Sequence, residues 1–231
     1  MSEETPVLEL WLPDIQHFIR RSLGPLMEAD GFRFQRREFS YLRKHGKDHE
    51  QIRFLFQNQF PLLYKISFFL KIWNNAIKKV KFSYLPYRKL DDYQLRTLII
   101  FMGHFVEETD DSPRSGMIYD YSLVTQKDLF ISVERIRGML QDSALPLSHQ
   151  LASTAGIDLF FADRPGWSVR TLSLSNITSE LIAAKLNKQR DYQELARRID
   201  HEVDEKIACG ELAMDTKDFL QDFHVFLTNS Y

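Results

Sequence analysis

Few residue types in this chain sit at spacings that could do chemistry, and most of them have an ordinary explanation. His45, Asp48 and His49 bring two imidazoles and a carboxylate into one short stretch. Zinc needs three or four convergent donors at about 2 Å, so two histidines in a loop are expected to be a solvated turn. His201 and Glu205 stand four apart among Glu202 and Asp204, which on a helix places them on one face. A salt-bridged, solvated helix surface accounts for that cluster. The single cysteine, Cys209, has Asp204, Glu205 and Glu211 nearby; acidic neighbours raise a thiol pKa, which argues against a reactive thiolate. Asp163, Arg164 and Trp167 in Phe161–Trp167 (FADRPGW) could line a site, but Pro165-Gly166 reads as a structural turn anchored by the tryptophan. No Gly-x-Ser-x-Gly elbow, phosphate-binding Gly-x-x-x-x-Gly-Lys-Ser/Thr loop or Gly-x-Gly-x-x-Gly turn is present. The expectation is no catalytic residue, no metal site and no cofactor.

The stronger signal is positive charge interleaved with rings. Arg33, Arg36, Arg37, Arg43, Lys44, Arg53, Lys65, Lys71, Lys78, Lys79 and Lys81 accompany Phe39, Tyr41 and Phe69. Such a surface can supply phosphate contacts and stacking platforms, or meet an acidic protein. Cations are also common on a sheet's solvated side simply because strands need a polar face. Arg36, Arg37, Phe39, Arg53, Lys65, Phe69 and Lys71 are the candidate binding residues.

The element that must carry them is Glu50 to Trp73. Leu62, Tyr64, Ile66, Phe68, Leu70 and Ile72 alternate with Lys65, Ser67 and Lys71, the period of a half-buried strand. Ile52, Phe54 and Phe56 alternate with Arg53 and Gln57, and Gln57 to Pro61 supplies a turn. This predicts a central antiparallel hairpin with one apolar and one basic face. Before it, Asp14 opens a helix whose Ile15, Phe18, Ile19, Leu23, Leu26 and Met27 form a stripe, with a kink or restart expected at Pro25 and a left-handed stop at Gly31. Phe32 and Phe34 share one parity and Phe39 and Tyr41 the other, which predicts a strand over 33–43 with a bulge near Arg36-Arg37. After Trp73 no element is assigned until a strand over Leu95–Val106, and another over Met117–Val124. From Thr125 the pattern turns helical: a capped helix to about Gln141, a partly helical Leu147–Phe161, a strand or loop over Ser168–Leu174, then helices over Thr178–Asn187, Tyr192–Ile207 and Thr216–Leu227.

The 231 residues, 44% hydrophobic and 13% aromatic, suffice for one α+β domain. The expected architecture is an antiparallel sheet of about four to six strands with helices packed on one face and a helical C-terminal third. Residues 78–115 are a possible insertion, and 125–231 the mainly helical part. A lone cysteine and the absence of a basic, apolar leader predict a cytoplasmic location. No uncharged stretch approaches the roughly 18 residues that span a bilayer, so no membrane partner is expected. Net charge is −2, but Arg33–Lys89 holds 14 Lys/Arg against 3 Asp/Glu, whereas Asp91–Tyr231 holds 14 against 23. The two halves either neutralise each other or leave a basic surface for an acidic partner.

The segment Leu23–Lys44 (LGPLMEADGFRFQRREFSYLRK), with Gly31-Phe32 after a helix and Phe56-Gln57 closing the next strand, resembles the opening of the domain-of-unknown-function 4304 family of bacterial proteins. Ala144–Leu147 and Ala183–Ile199 are similar to that family's later helices. The resemblance implies an α+β arrangement and brings no established activity. Small bacterial proteins of this kind also occur among toxin-immunity and defence genes. The function expected is therefore non-enzymatic recognition of an acidic protein partner through the basic sheet face. The alternatives are a nucleic-acid-binding accessory protein and a hydrolase with an unrecognised site.

Overall fold

A computed structural model describes residues 10–59, 63–84, 96–101, 103 and 120–231. The architecture is α+β: an antiparallel sheet whose apolar face is covered by helices, followed by a helical C-terminal part. The chain opens with α1 (Leu12–Ala29), which buries Ile15, Ile19, Leu23 and Met27, one residue per turn along a single stripe. It runs through Pro25 as one helix, without the restart expected there. Its end is a Schellman motif: Gly31 takes φ 84°, and the N–H groups of Gly31 and Phe32 donate to the carbonyls of Glu28 and Met27 at 3.0 and 2.9 Å.

The bulged strand expected over 33–43 is instead a hairpin. β1 (Arg33–Gln35) and β2 (Ser40–His45) pair antiparallel, with Gln35 opposite Ser40, and a 3₁₀ turn at Arg36–Glu38 reverses the chain. Phe39 takes a left-handed conformation to close it, φ 45° and ψ 61°. The parity change between Phe34 and Tyr41 thus comes from chain reversal, not from an extra residue. Two residues, Gly46 and Lys47, then join His45 to Asp48, and Gly46 supplies the φ of 62° that the tight turn requires.

The central hairpin is β3 (Asp48–Gln59) with β4 (Leu63–Trp73), paired continuously from His49 opposite Trp73 to Gln59 opposite Leu63. β3 therefore runs further into the expected turn than its alternation suggested. Tyr41, Ile52, Phe54, Ile66, Phe68, Leu70 and Ile72 form the buried inner face, as the period-2 pattern demands. On the far side of β4, β5 (Leu98–Phe101) pairs with Phe69–Ile72 and β6 (Tyr121–Leu123) with Tyr64–Ile66. The rest of the strand expected over Met117–Val124, up to Tyr119, lies outside the described residues.

Between β4 and β5, α2 (Asn75–Ser83) is capped by Asn74, whose side chain accepts from the N–H groups of Ala76 and Ile77. α2 places Ile77 in the core, and within the possible insertion at 78–115 it adds Val80 while β5 adds Leu98 and Ile100. Residues 85–95 and 104–115 lie outside the described residues.

The helical part begins with α3 (Gln126–Met139), which carries a full capping box between Thr125 and Asp128. It does not stop near Gln141: a π-helical turn at Leu140–Ala144 leads directly into α4 (Leu145–Gln150), which carries Pro146 in its first turn. Then follow α5 (Thr154–Ala162), α6 (Trp167–Arg170), α7 (Leu174–Asn187), α8 (Tyr192–Ala208) and α9 (Asp215–Ser230). Of the segment Ser168–Leu174, left as strand or loop, Ser168–Arg170 are helical, because Gly166 in its left-handed conformation starts a new turn that buries Trp167 and Val169, and a turn at Thr171–Leu172 leads on to α7. α7 is buried along most of its length. No described helix is long and apolar enough to cross a membrane.

Candidate functional site

The outer face of the sheet is organised in rows set by strand register. Lys44, His49 and Trp73 form one row, Leu42, Gln51, Lys71 and Ile99 the next, and Ser40, Arg53, Phe69 and Phe101 the third. With Glu38 and the Gly46–Asp48 turn, members of these rows line a groove of about 490 Å³. Arg53, Phe69 and Lys71 are thus brought together as the sequence expected. Phe69 packs edge-on against Phe101 at 5.8 Å, and the Lys71 ammonium lies 4.8 Å from the Phe69 ring centre and 5.8 Å from that of Trp73. Trp73 stacks on His49 at 4.4 Å, so its indole is occupied by an imidazole and a neighbouring cation.

The other expected site residues are placed elsewhere. Arg36 and Arg37 are exposed on the 3₁₀ turn that also supplies Glu38 to the groove. Lys65 shares the outer face but stands six residues from Lys71 along β4, about 20 Å at strand rise, and pairs with Asp120 at 3.2 Å. Phe39 packs against Phe34, Phe54 and Phe56, rings of the inner side, because the hairpin turn directs it there. Two cations counted with the basic face are also inside: Arg43, which has Tyr41's parity, and Lys81 on α2. Nor is the outer face evenly solvated. Phe69 and Lys71 are 7% and 9% exposed, while Arg53 is half-buried and Lys44 and Lys47 are open.

Burial sets the electrostatics of the groove. Desolvation, then Arg96 and Arg53, push the Lys71 ammonium down to about 8, against the favourable field of Glu38. His49 is held below its ordinary range by burial and then by Lys44 and Lys78. Glu38 is occupied: Gln51 Nε2 donates to its Oε2 at 2.7 Å and to Ser40 Oγ at 2.9 Å. Asp48 is also engaged, accepting from the Asn75 N–H at 2.5 Å. Lys44, Lys47, Arg53 and Lys71 form no ion pair among the described residues. Sequence reasoning missed Trp73, His49, Gln51 and Glu38 as groove residues. The first three share the outer parity of Arg53 or Lys71, which is the signal that would have found them.

His45 and His49 do not converge. They fall on opposite faces of the sheet, His45 Nε2 lying 3.6 Å from the Glu50 carboxylate while His49 stacks on Trp73. Among the described residues no group of three or more His, Cys, Asp or Glu is placed to hold a metal ion. Two further polar clusters have the residue types of acid–base chemistry. Ser168 Oγ donates to Glu180 Oε2 at 2.5 Å, but both residues are wholly buried beneath Arg190 and Arg198. Tyr192 Oη lies 2.9 Å from His224 Nδ1, and His224 Nε2 lies 3.1 Å from Asp200. Burial and the Asp200 charge raise the phenol above its ordinary range, and the chain of contacts ties α8 to α9. Trp167, in the FADRPGW turn, packs on Phe160 and Phe161 as a core anchor.

Comparison of the chain with protein-family models, with curated protein sequences and with solved structures finds no match.

Proposed function

We propose that this chain is a non-enzymatic binding protein that recognises an acidic protein partner through the groove and rim of its outer sheet face. The observation that carries this is the set of four cations, Lys44, Lys47, Arg53 and Lys71, gathered in one groove with no intramolecular carboxylate partner among the described residues. Arg36 and Arg37 on the adjoining turn extend the positive rim. Complementary charge of this kind accelerates encounter and makes association salt-dependent. An immunity-type inhibitor that masks an acidic surface, a role the family resemblance suggests, belongs to this class. Binding of nucleic acid is the weaker alternative, because base stacking needs open ring faces, and Phe69 is buried while Trp73 is engaged by His49.

The test is affinity capture of the tagged full chain from its host at low salt, with mass spectrometry and an absorbance ratio on the eluate. A stoichiometric acidic protein that leaves as salt rises, and is lost with Arg53→Glu, is the expected result. Nucleic acid in the eluate overturns it in favour of the alternative. A partner unaffected by Arg53→Glu removes this face from consideration.

A further inference from the structure

The chain buries two lysines in opposite ways. Lys81, with no exposed surface, directs its ammonium to the carbonyl of Arg96 at 2.7 Å and to the carbonyl and hydroxyl of Ser175, each at 2.9 Å. Those acceptors replace lost water, which is how a buried cation is ordinarily tolerated. Lys71 is 9% exposed, yet its ammonium makes no hydrogen bond and no ion pair. Its neighbours are the rings of Phe69 and Trp73. The carboxylate that favours its charged form, Glu38, is committed to Gln51. What Lys71 lacks is an acceptor from the protein itself, and the groove it lines is where one can enter.

We propose that Lys71, with Arg53 beside it on β3, forms a seat for a single carboxylate, supplied by an acidic side chain of the protein partner. This deepens the function proposed above and rests on it. Arg53 stands opposite Phe69, one row from Lys71, so the two cations approach the groove floor from adjacent strands. A carboxylate accepting from both gains charge-assisted hydrogen bonds in a site already stripped of much of its water. The carboxylate follows from the acidic protein partner proposed above, whose side chains carry that group, and Glu38 and Asp48 offset part of the positive charge of the four cations that line the groove. The groups facing Lys71 are Arg53 and Gln51 from β3, Glu38 from the 3₁₀ turn, and Arg96; His49, Asp48, Lys44 and Lys47 complete the groove. Because burial and these cations push the ammonium down to about 8, the seat loses the Lys71 charge, and keeps that of Arg53, in mildly alkaline solution unless an anion occupies it.

The experiment is fluorescence anisotropy of a labelled hexaglutamate peptide with the full chain at low salt, with acetate and inorganic phosphate as competitors. Wild type is expected to bind, Lys71→Met to bind about tenfold more weakly, and Lys44→Gln to lose only about threefold, as a rim charge does. Methionine retains the packing between the two rings, and circular dichroism checks that the variant is folded. Raising pH from 7 to 9.5 is expected to weaken wild type and to leave Lys71→Arg flat, which a purely structural role for Lys71 would not produce. If Lys71→Met binds as wild type while Arg53→Glu does not bind, the seat is wrong and the basic face stands. If wild type ignores the peptide at every salt concentration, seat and proposed function fall together. Phosphate competing better than acetate overturns the choice of carboxylate.

Discussion

Arg43 and Glu50 face each other across β2 and β3 on the inner side of the sheet, the guanidinium placing Nε and Nη2 at 2.8 and 2.5 Å from the same carboxylate oxygen. Ser148 of α4 accepts from the same guanidinium at 2.8 Å, and Asp30, after α1, at 2.6 Å. One side chain therefore joins the sheet to two helices. Burial outweighs Arg43 at Glu50, and the carboxyl sits above its usual range. Removing one partner strands the other: Arg43→Met should lower unfolding free energy by about 3–5 kcal/mol. The double variant Arg43→Met/Glu50→Met should recover most of that loss in urea unfolding at pH 7.

Lys71 should show a trade of stability for function. Its folded-state value is about 8, below the ordinary 10.5, so between those limits the unfolded chain binds more protons than the folded one. Stability then rises with pH across that window. Lys71→Met should therefore be more stable than wild type at pH 7, by a margin that narrows as pH climbs from 8 towards 10.5. Denaturant midpoints at pH 7, 8.5 and 10 measure it.

Glu180 of α7 is the hub of the helical part. It accepts from Ser168 of α6 and meets Arg190 at 3.1 Å and Arg198 of α8 at 2.9 Å, while Arg190 also pairs with Asp158 of α5. Glu180→Ala leaves Arg190 shared with Asp158 alone and should cost about 3–5 kcal/mol. Glu180→Gln, which keeps the shape and one acceptor, should cost less; thermal melts of the two variants rank them.

Gly156, in the first turn of α5, is where the helix meets the end of α4. A β-carbon built there runs into the carbonyl of Gln150 and crowds the Ser153 hydroxyl, which caps the helix. Gly156→Ala should be destabilising despite alanine's better helix propensity, whereas Gly46→Ala, with open space around it, suffers only the penalty of its positive φ. Chevron or equilibrium unfolding of both separates contact from backbone strain.

The inner face was legible in the sequence because period-2 alternation along β4 is nearly unbroken, and a one-residue slip would expose Ile66, Phe68, Leu70 and Ile72 together. The capped start of α3 and the extents of α8 and α9 were legible for the same kind of local reason. What the alternation could not convey is chain reversal within a short span: β1 and β2 read as one strand because only the 3₁₀ turn and the left-handed Phe39 that closes it separate them. The site was legible as charge and illegible as geometry. Arg53, Phe69 and Lys71 share a parity and meet; Phe39 follows its turn to the other side, and Lys65 is spent on Asp120. Which lysine is buried with acceptors and which without depends on Ser175, far along the chain, and no spacing rule reaches that far.

The strands outside the central three, Arg33–Gln35, Leu98–Phe101 and Tyr121–Leu123, are only three or four residues long. Along β4, β5 and β6 divide a single flank between them. A long unpaired border is what templates strand addition and cross-β stacking; among the described residues β5 and β6 cover most of the free flank of β4, whereas β3 beyond Phe54 has no strand beside it on the β2 side. A partner, or a second copy of the chain, is therefore offered little main chain to zip onto along β4, and must be read there through side chains.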